Sequence, residues 1–569
     1  MEPKKDLLIL RHSAAHLLAH AVSELYPGTQ MTIGPATEDG FFYDFLPLKN
    51  FKEEDLSPIQ ERMFELAKKN YPLEHKQISK DEARKLYKDN PFKLELINEI
   101  PGDTVGLAVQ GDFYDLCRGG HVKSTGELMH VALLGVAGSY WRADRNKQPL
   151  QRITGTAFWT KKELDEFLQN RSDALTYDHR KLGKQLDLFS FHDEGIGFPF
   201  YHAKGKAILN TMVAYMRNVL LKQSNQEIQT PIMLNADLWR QSGHWQFYKD
   251  NMYLCHKEDV EYAVKPMNCP GSILIYQERP RSYRELPLRL MEFGIDHRFE
   301  LSGALHGLFR TRAFTMDDTH IYCTLDQIEE EILNNITIIK KVLRKYGFEN
   351  LKIALSTKPD EALGSPELWE KAETFLKNAL NRAQVDYALQ EKEGAFYGPK
   401  IEFKFKDAMN REWQCGTLQL DFNFPERFDL SYIAPTGNKE RPVMIHRAIY
   451  GSLERFLAIL LEHYRGNFPF WLSPVQIRVM TITDDQHDYA KKVFNQIQDA
   501  GFRVDHDLTS DQISAKIKTA QLEKIPWMII IGKKEVEKSS VSLRYQDGKQ
   551  ELGIELSEVI TRAHKLVHE

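Results

Sequence analysis

The 569-residue chain is poor in cysteine, with five residues at 117, 255, 269, 323 and 415. So odd and sparse a set does not make a disulfide scaffold, and it fits a reducing compartment. Long hydrophobic runs are missing too. The longest purely apolar stretch lies near Phe456–Leu461, whereas a membrane span needs about 20 such residues. The N-terminus lacks the apolar segment and small-residue cleavage site of a secretory signal, so a cytoplasmic location is expected. Neither charge sign dominates: 75 Lys+Arg stand against 80 Asp+Glu, a formal charge of −5. A nucleic-acid partner would therefore bind through local basic patches. With 24 Pro and 33 Gly beside 42% hydrophobic and 11% aromatic residues, disordered and fibrous classes are excluded. The length predicts roughly three or four domains of about 150 residues.

Along the chain, the pattern changes three times. Residues 1–160 mix helices with short strands: Arg11–Leu25 reads as helix, and a turn at Thr37 leads into a strand alternating Phe41, Tyr43 and Phe45. Between Arg142 and Lys184 stand ten Lys/Arg against six Asp/Glu. The helical section expected over 161–185 carries Leu164, Phe167, Leu168 and Leu175 on one stripe, as a connector over 161–186 would, although a solvated helix face explains the charges equally. Residues 187–469 open with a Gly/Phe/Pro-rich turn and a helix over 205–223. Extended segments then dominate, among them Leu288–Phe299, Ala313–Cys323 and Arg411–Asp421, before a closing helix expected over Ala448–His463. So many strands without regular helical alternation argue for an antiparallel sheet. Beyond a Pro-punctuated linker, residues 470–569 alternate strands with helices, the pattern of a small parallel α/β domain.

Three central residues have metal-ligand chemistry: Cys269 in Met267-Asn-Cys-Pro-Gly, His320 in Asp317-Asp-Thr-His, and His446 in Met444-Ile-His-Arg. One thiolate and two imidazoles can hold zinc and leave one coordination position open, but residues so scattered have no diagnostic spacing and equally read as buried core. Arg298 and Glu300 stand two apart, as do Arg310 and Arg312; on a strand each pair would share one face, where arginines clamp phosphate or simply make a salt-bridged edge. In the N-terminal region, His12 and His16 lie one helical turn apart, and Asp115-Leu-Cys-Arg-Gly-Gly-His supplies Cys117 and His121 at the same separation. By composition this set is a second metal site or a group of core histidines.

The segments Phe293-Gly-Ile-Asp-His-Arg-Phe-Glu, Arg310-Thr-Arg-Ala-Phe-Thr-Met-Asp-Asp-Thr-His and Gly451-Ser-Leu-Glu-Arg resemble the second and third signature motifs of class II aminoacyl-tRNA synthetases. The segment at Pro231 resembles the first, which in that family lies at a dimer interface. With Pro266-Met-Asn-Cys-Pro-Gly and His12-Ser-Ala-Ala-His, the likeness narrows to the threonyl-tRNA synthetases and covers nearly the whole chain, though without their small N-terminal ubiquitin-like domain.

The resemblance implies an α+β multidomain protein. Its parts would be an N-terminal α+β editing domain (1–160), a linker helix (161–186), a class II antiparallel-sheet catalytic core (187–469) and a C-terminal α/β anticodon-binding domain (470–569). It implies Cys269, His320 and His446 as ligands of one Zn2+ per subunit, and Arg298 on the threonine carboxylate or α-phosphate of Mg2+–ATP. Glu300 would read the adenine amino group, Phe314 and Arg455 would sandwich the ring, and Arg310 would hold the outer phosphates. Asp318 would accept from the threonine hydroxyl, with Tyr397, Lys400 and Gln414 completing the pocket; Arg298, Lys400 and Arg455 would carry the catalysis. His12, His16, Lys93, Asp115, Cys117 and His121 would form a metal-independent pocket that hydrolyses mischarged seryl-tRNA. Glu535 and Arg544 would read the anticodon. The expected partners are tRNA(Thr), ATP, threonine and a second copy of the chain, with no membrane.

This sequence departs from the family pattern at Met316, generally Gln; Gly120 and Leu301, usually Pro; and Ser510, usually Asn. A catalytically weakened relative that only binds RNA, or a synthetase for another amino acid such as proline, are the rival readings. Threonine-dependent ATP–pyrophosphate exchange separates them.

Overall fold

A computed structural model describes residues 3–568. They form two compact units, one up to Ser172 and one from Asp173 onward. The divide falls inside the segment expected as a connector.

In the first unit, the helix Pro3–Leu25 buries Leu10, Ala14, Leu17, Leu18 and Ala21. They pack on Phe41, Phe45 and Ile153 of a four-stranded antiparallel sheet. Small alanines between the leucines let the helix lie close to the sheet. A second sheet, Glu74–Ser79, Thr104–Gln110 and Phe113–Leu116, is also antiparallel. Its last strand delivers Asp115 and, one residue beyond its end, Cys117.

The second unit is built on an eight-stranded sheet. Its order runs Gln226–Glu227, Leu288–His297, Ala313–Cys323, Val443–Ala448, Glu412–Asp421, Lys400–Lys406, Lys352–Ser356, Tyr387–Gln390. The five inner pairings are antiparallel and the two edge pairings parallel. The helices Ala203–Leu221, Ile328–Lys345 and Leu453–His463 bury their apolar stripes in the core beneath it.

Several local expectations give way. The helix expected over Ala448–His463 is a strand, Val443–Ala448, followed by a helix, Leu453–His463. Every residue of that strand is buried, so it carries no alternation to betray it. Gly451, at φ +73°, turns the chain, and the Ser452 side chain accepts from Arg455 N to cap the helix. Arg298 and Glu300 are not on a strand, which ends at His297; Glu300 N donates to Arg298 O (2.8 Å) in a tight turn. Arg310 and Arg312 likewise precede the strand that starts at Ala313. The helix expected over 161–185 breaks after Thr176 and restarts at His179, where Asp178 accepts from Arg180 N. On its first part only Leu164 is buried, and Leu175 is exposed.

The C-terminal sheet is mixed rather than parallel. Val504–Asp507, Ile477–Thr481 and Trp527–Ile531 run parallel, and an antiparallel hairpin, Val541–Tyr545 with Gln550–Ile554, completes it.

Candidate active site and a second histidine–cysteine cluster

The register of the large sheet assembles the central site. His320 lies opposite His446, His446 opposite Gln419, and Gln419 opposite Lys400. Directly opposed residues share a face, so four strands present these side chains in one transverse row. Cys269 arrives from outside the sheet, in the first turn of the helix Cys269–Gln277. The ligand atoms of Cys269, His320 and His446 lie within 4.8 Å of one another, and all three residues are buried.

The donor set has the character of a metal site. Among the described residues, Nδ1 of His320 and Nδ1 of His446 are buried with no hydrogen-bond partner, a costly state for an imidazole in a protein interior. His446 Nε2 lies 2.9 Å from Asp421 Oδ2, and the other oxygen of that carboxylate accepts from Asn423 N and Phe424 N. A carboxylate behind a histidine fixes the ring and its tautomer, leaving the other nitrogen free to ligate. Burial pushes the Cys269 thiol up and His320 down, so without a cation these two groups are held neutral.

A cavity of about 560 Å³ opens over the row, lined by Arg298, Asp318, Tyr397, Lys400, Gln419 and the three candidate ligands, among others. Asp318 is half-buried and accepts from Asn268 Nδ2 at 2.8 Å. The Asn268 amide sits against Gly294, where a Cβ would come within 2.0 Å of its oxygen, so only glycine admits it. The adjacent Asp317 faces the other side of the strand. It accepts from Ile449 N (2.9 Å), Tyr450 N and Gly451 N (both 3.0 Å), and so ties the turn that launches the Arg455 helix. The Tyr397 hydroxyl donates to Gln419 Oε1, and its ring lies 5.0 Å from His446. Lys400 pairs with Glu402 at 2.7 Å.

Farther along the same face, the Arg298 guanidinium lies 5.1 Å from the Phe314 ring and that of Arg455 5.4 Å from Trp413. Arg310 pairs with Glu300 at 2.9 Å. Arg312 is a structural clamp, bonding Glu300 O and Ile196 O. Gln414 does not line the cavity, but a bulge between Phe403 and Lys404 sets it opposite Lys404, on the face of Thr417 and Gln419.

In the first unit all six residues singled out from the sequence come together. Cys117 Sγ lies 3.3 Å from His12 Nε2 and 3.0 Å from His121 Nε2, and accepts from Gly119 N at 3.2 Å. His12 and His16 meet at 3.0 Å through their Nε2 atoms. His16 Nδ1 is 3.2 Å from Asp115, which also pairs with Lys93 and accepts from the Tyr43 hydroxyl at 2.6 Å. Burial alone would raise the Cys117 thiol, but hydrogen bonds from His12, His121 and His16 outweigh it and hold the group at about 3. Burial would lower His16; Asp115 and Cys117 instead lift it to about 9. Gly120 has φ +85°, which proline cannot adopt, so this loop differs in backbone from one with proline there. His20, the next residue of the row, is an ordinary core group stacked on Phe113 at 4.9 Å.

In the C-terminal region Glu535 accepts from Gly532 N and from the Ser542 hydroxyl, and Arg544 Nε is buried without a partner.

Residues 253–464 match the tRNA synthetase class II core domain (G, H, P, S and T), 476–566 an anticodon binding domain, and 105–154 the threonyl and alanyl tRNA synthetase second additional domain. Over 97% of this chain, the sequence is 51% identical to the threonine–tRNA ligase of Clostridium botulinum (strain Okra / Type B1), covering 87% of that protein. The chain belongs to the threonine–tRNA ligase family. The threonine–tRNA ligase of Acetivibrio thermocellus is 50% identical over 94% of this chain and 84% of its own length. Among solved structures, the RNA binding domain of threonyl-tRNA synthetase from Cryptosporidium parvum superposes with TM-score 0.67 at 42% identity, covering 68% of this chain and 98% of that one. The chain is thus an ATP-dependent ligase of threonine and tRNA, with a class II core, an editing-type second domain and an anticodon-binding domain. No helix among the described residues is long and apolar enough to cross a membrane.

Sequence reasoning missed Gln419, Asn268, Asp421 and Tyr43. Gln419 was within reach, because it alternates with Thr417 on a strand already recognised. Asn268 and Asp421 act through their neighbours, and nothing in their sequence context marks that.

Proposed function

We propose that threonine activation takes place over the Cys269–His320–His446 cluster, with these three residues holding one zinc ion. The observation that carries this reading is the pair of bare, buried Nδ1 atoms on His320 and His446. When bound, the ion would supply Lewis-acid coordination to the amino and hydroxyl groups of threonine. Valine lacks the hydroxyl and is refused.

The chain's own groups do the rest. Asp318 accepts from the threonine hydroxyl, and Tyr397 and Gln419 close the side-chain end. Arg298 neutralises charge as the threonine carboxylate attacks the α-phosphorus of Mg2+–ATP and pyrophosphate leaves; Lys400 adds positive potential to the same cavity. The adenine lies by Phe314 and Arg455, with Glu300 on its amino group. Gln414 lies beside it, and Arg310 exchanges its ion pair for the outer phosphates. Catalysis of this kind is mainly positioning and electrostatics.

Serine differs from threonine by one methyl, worth about 1–3 kcal/mol or roughly 10- to 200-fold, so the core charges some tRNA with serine. The first-unit cluster answers this by hydrolysis. His12 orients or deprotonates water, Cys117, His121 and Asp115 with Lys93 hold the terminal adenosine, and the hydrolysis runs without a metal. Glu535 and Arg544 contact anticodon bases, read on their edges as single-stranded bases are. A homodimer is supported by exposed Ile232, Met233 and Leu254 around the Pro231 segment, and a cytoplasmic site of action by the five unpaired cysteines.

ATP–pyrophosphate exchange tests the reading. Exchange is expected with threonine and not with valine or proline; protein that binds tRNA yet exchanges nothing would make the chain an RNA-binding relative instead.

A further inference from the structure

Asp296 lines the activation cavity beside Asp318, yet the roles set out above leave it unused. It is 1% exposed, and its Oδ1 has no hydrogen-bond partner among the described residues. Its Oδ2 takes only a long 3.3 Å bond from Asn268 Nδ2, an amide that serves Asp318 at 2.8 Å. The nearby cations are occupied: Lys265 Nζ bonds Thr230 and Glu292, and Arg298 Nε bonds Pro266 O. A buried carboxyl oxygen without a partner destabilises the fold, and such features gather where a ligand completes them.

Register narrows the ligand. Asp296 lies directly opposite Phe314, and Gly294 opposite Met316, so Asp296, Phe314 and Met316 share one patch of the sheet. This patch runs from Asp318 and Met316, which line the cavity, toward Phe314, which lies beyond its lining and where the activation reading puts the adenine. The part of an aminoacyl-adenylate between those ends is an acyl phosphate and a ribose. The phosphate offers only acceptors and negative charge, which a carboxyl group does not bind well; the ribose offers hydroxyl donors. Met316, between Asp318 and Phe314 on this face, has a thioether that donates no hydrogen bond.

We propose that Asp296 is a substrate-binding residue whose free carboxyl oxygen accepts a hydrogen bond from a ribose hydroxyl, taking over a polar contact that Met316 cannot make. This rests on the activation reading given under the proposed function. If the parent protein shows no threonine-dependent exchange, that reading fails first and independently.

The test is Asp296→Val, which keeps the bulk and removes the polar atoms, measured by pyrophosphate exchange with ATP, 2′-deoxy-ATP and 3′-deoxy-ATP. The expected result is a KM for ATP raised about 10-fold or more, loss of the parent's discrimination against one deoxy analogue, and a melting temperature equal to or above the parent's. Asp296→Asn, which keeps an acceptor, should recover most of the discrimination. If exchange is unchanged but transfer to tRNA falls with the same thermal signature, the ribose is that of the tRNA terminus, and the proposal stands for that source. Unchanged kinetics in both assays would overturn it. So would a lowered melting temperature with deoxy discrimination intact, or a raised KM for threonine alone.

Discussion

The two cysteine–histidine clusters contain nearly the same residues and are chemically opposite. Around Cys117 the charged groups face one another: the thiolate is surrounded by three imidazoles, and His16 stands 3.2 Å from Asp115, although its Nδ1 makes no hydrogen bond among the described residues. Around Cys269 the thiol is pushed toward neutrality and two imidazole nitrogens are bare. Both sets bring their ligand atoms within 4.8 Å of one another; under the proposed reading the first handles protons and the second holds a cation. Composition does not distinguish them, and each has a carboxylate behind a histidine; they differ in what holds that carboxylate, Lys93 on Asp115 in one case and two backbone amides on Asp421 in the other.

The comparison breaks most visibly at the ligands. His446→Ala should remove bound zinc and cut threonine-dependent exchange by more than about 100-fold, while leaving seryl-tRNA deacylation untouched; exchange that survives without metal would reverse the assignment. His12→Ala should do the opposite, lowering deacylation by about 10²- to 10⁴-fold with exchange at the parental rate, so that seryl-tRNA accumulates in a charging assay. Asp421→Asn, which only loosens the support behind His446, should weaken zinc affinity by about 10- to 100-fold, seen by competition with a chromophoric chelator. Gly120→Pro, forced at φ +85°, should cost about 1–3 kcal/mol and slow deacylation without altering exchange, read from denaturant melts of the parent and variant.

Acidity sharpens the same contrast. Because the Cys117 thiol is lowered to about 3, its contribution to stability is present above the unfolded thiol's value and is lost as pH falls through 3. His16 is raised to about 9, so its contribution is complete below the unfolded imidazole's value, near 6.5, and disappears as pH climbs through 9. The melting-temperature gap between the parent and Cys117→Ala should therefore close toward pH 3; a gap constant from pH 7 to pH 3 would show that no thiolate is held there.

Much of this was legible without coordinates. The strand Ala313–Cys323 has the bounds expected of that extended segment, and it places Phe314, Met316, Asp318 and His320 on one face. The grouping of His12 and His16 with Cys117 and His121 followed from matching four-residue spacings and a family likeness. The strand Val443–Ala448 was missed because burial on both faces erases alternation, and its apolar residues ran into those of the following helix. Arg298 and Glu300 were placed on a strand because a two-residue spacing looks the same in a strand and in a tight turn. Asp296 escaped because a buried acid differs from a surface acid only by what surrounds it, and that is decided by pairing between distant strands.

The most direct measurement is the zinc content of the purified chain, taken beside Cys117→Ala and Cys269→Ala and paired with threonine-dependent exchange. One ion per chain is predicted, retained with full exchange in Cys117→Ala and absent with lost exchange in Cys269→Ala. An ion that leaves with Cys117, or metal-free protein with parental exchange, would contradict the account.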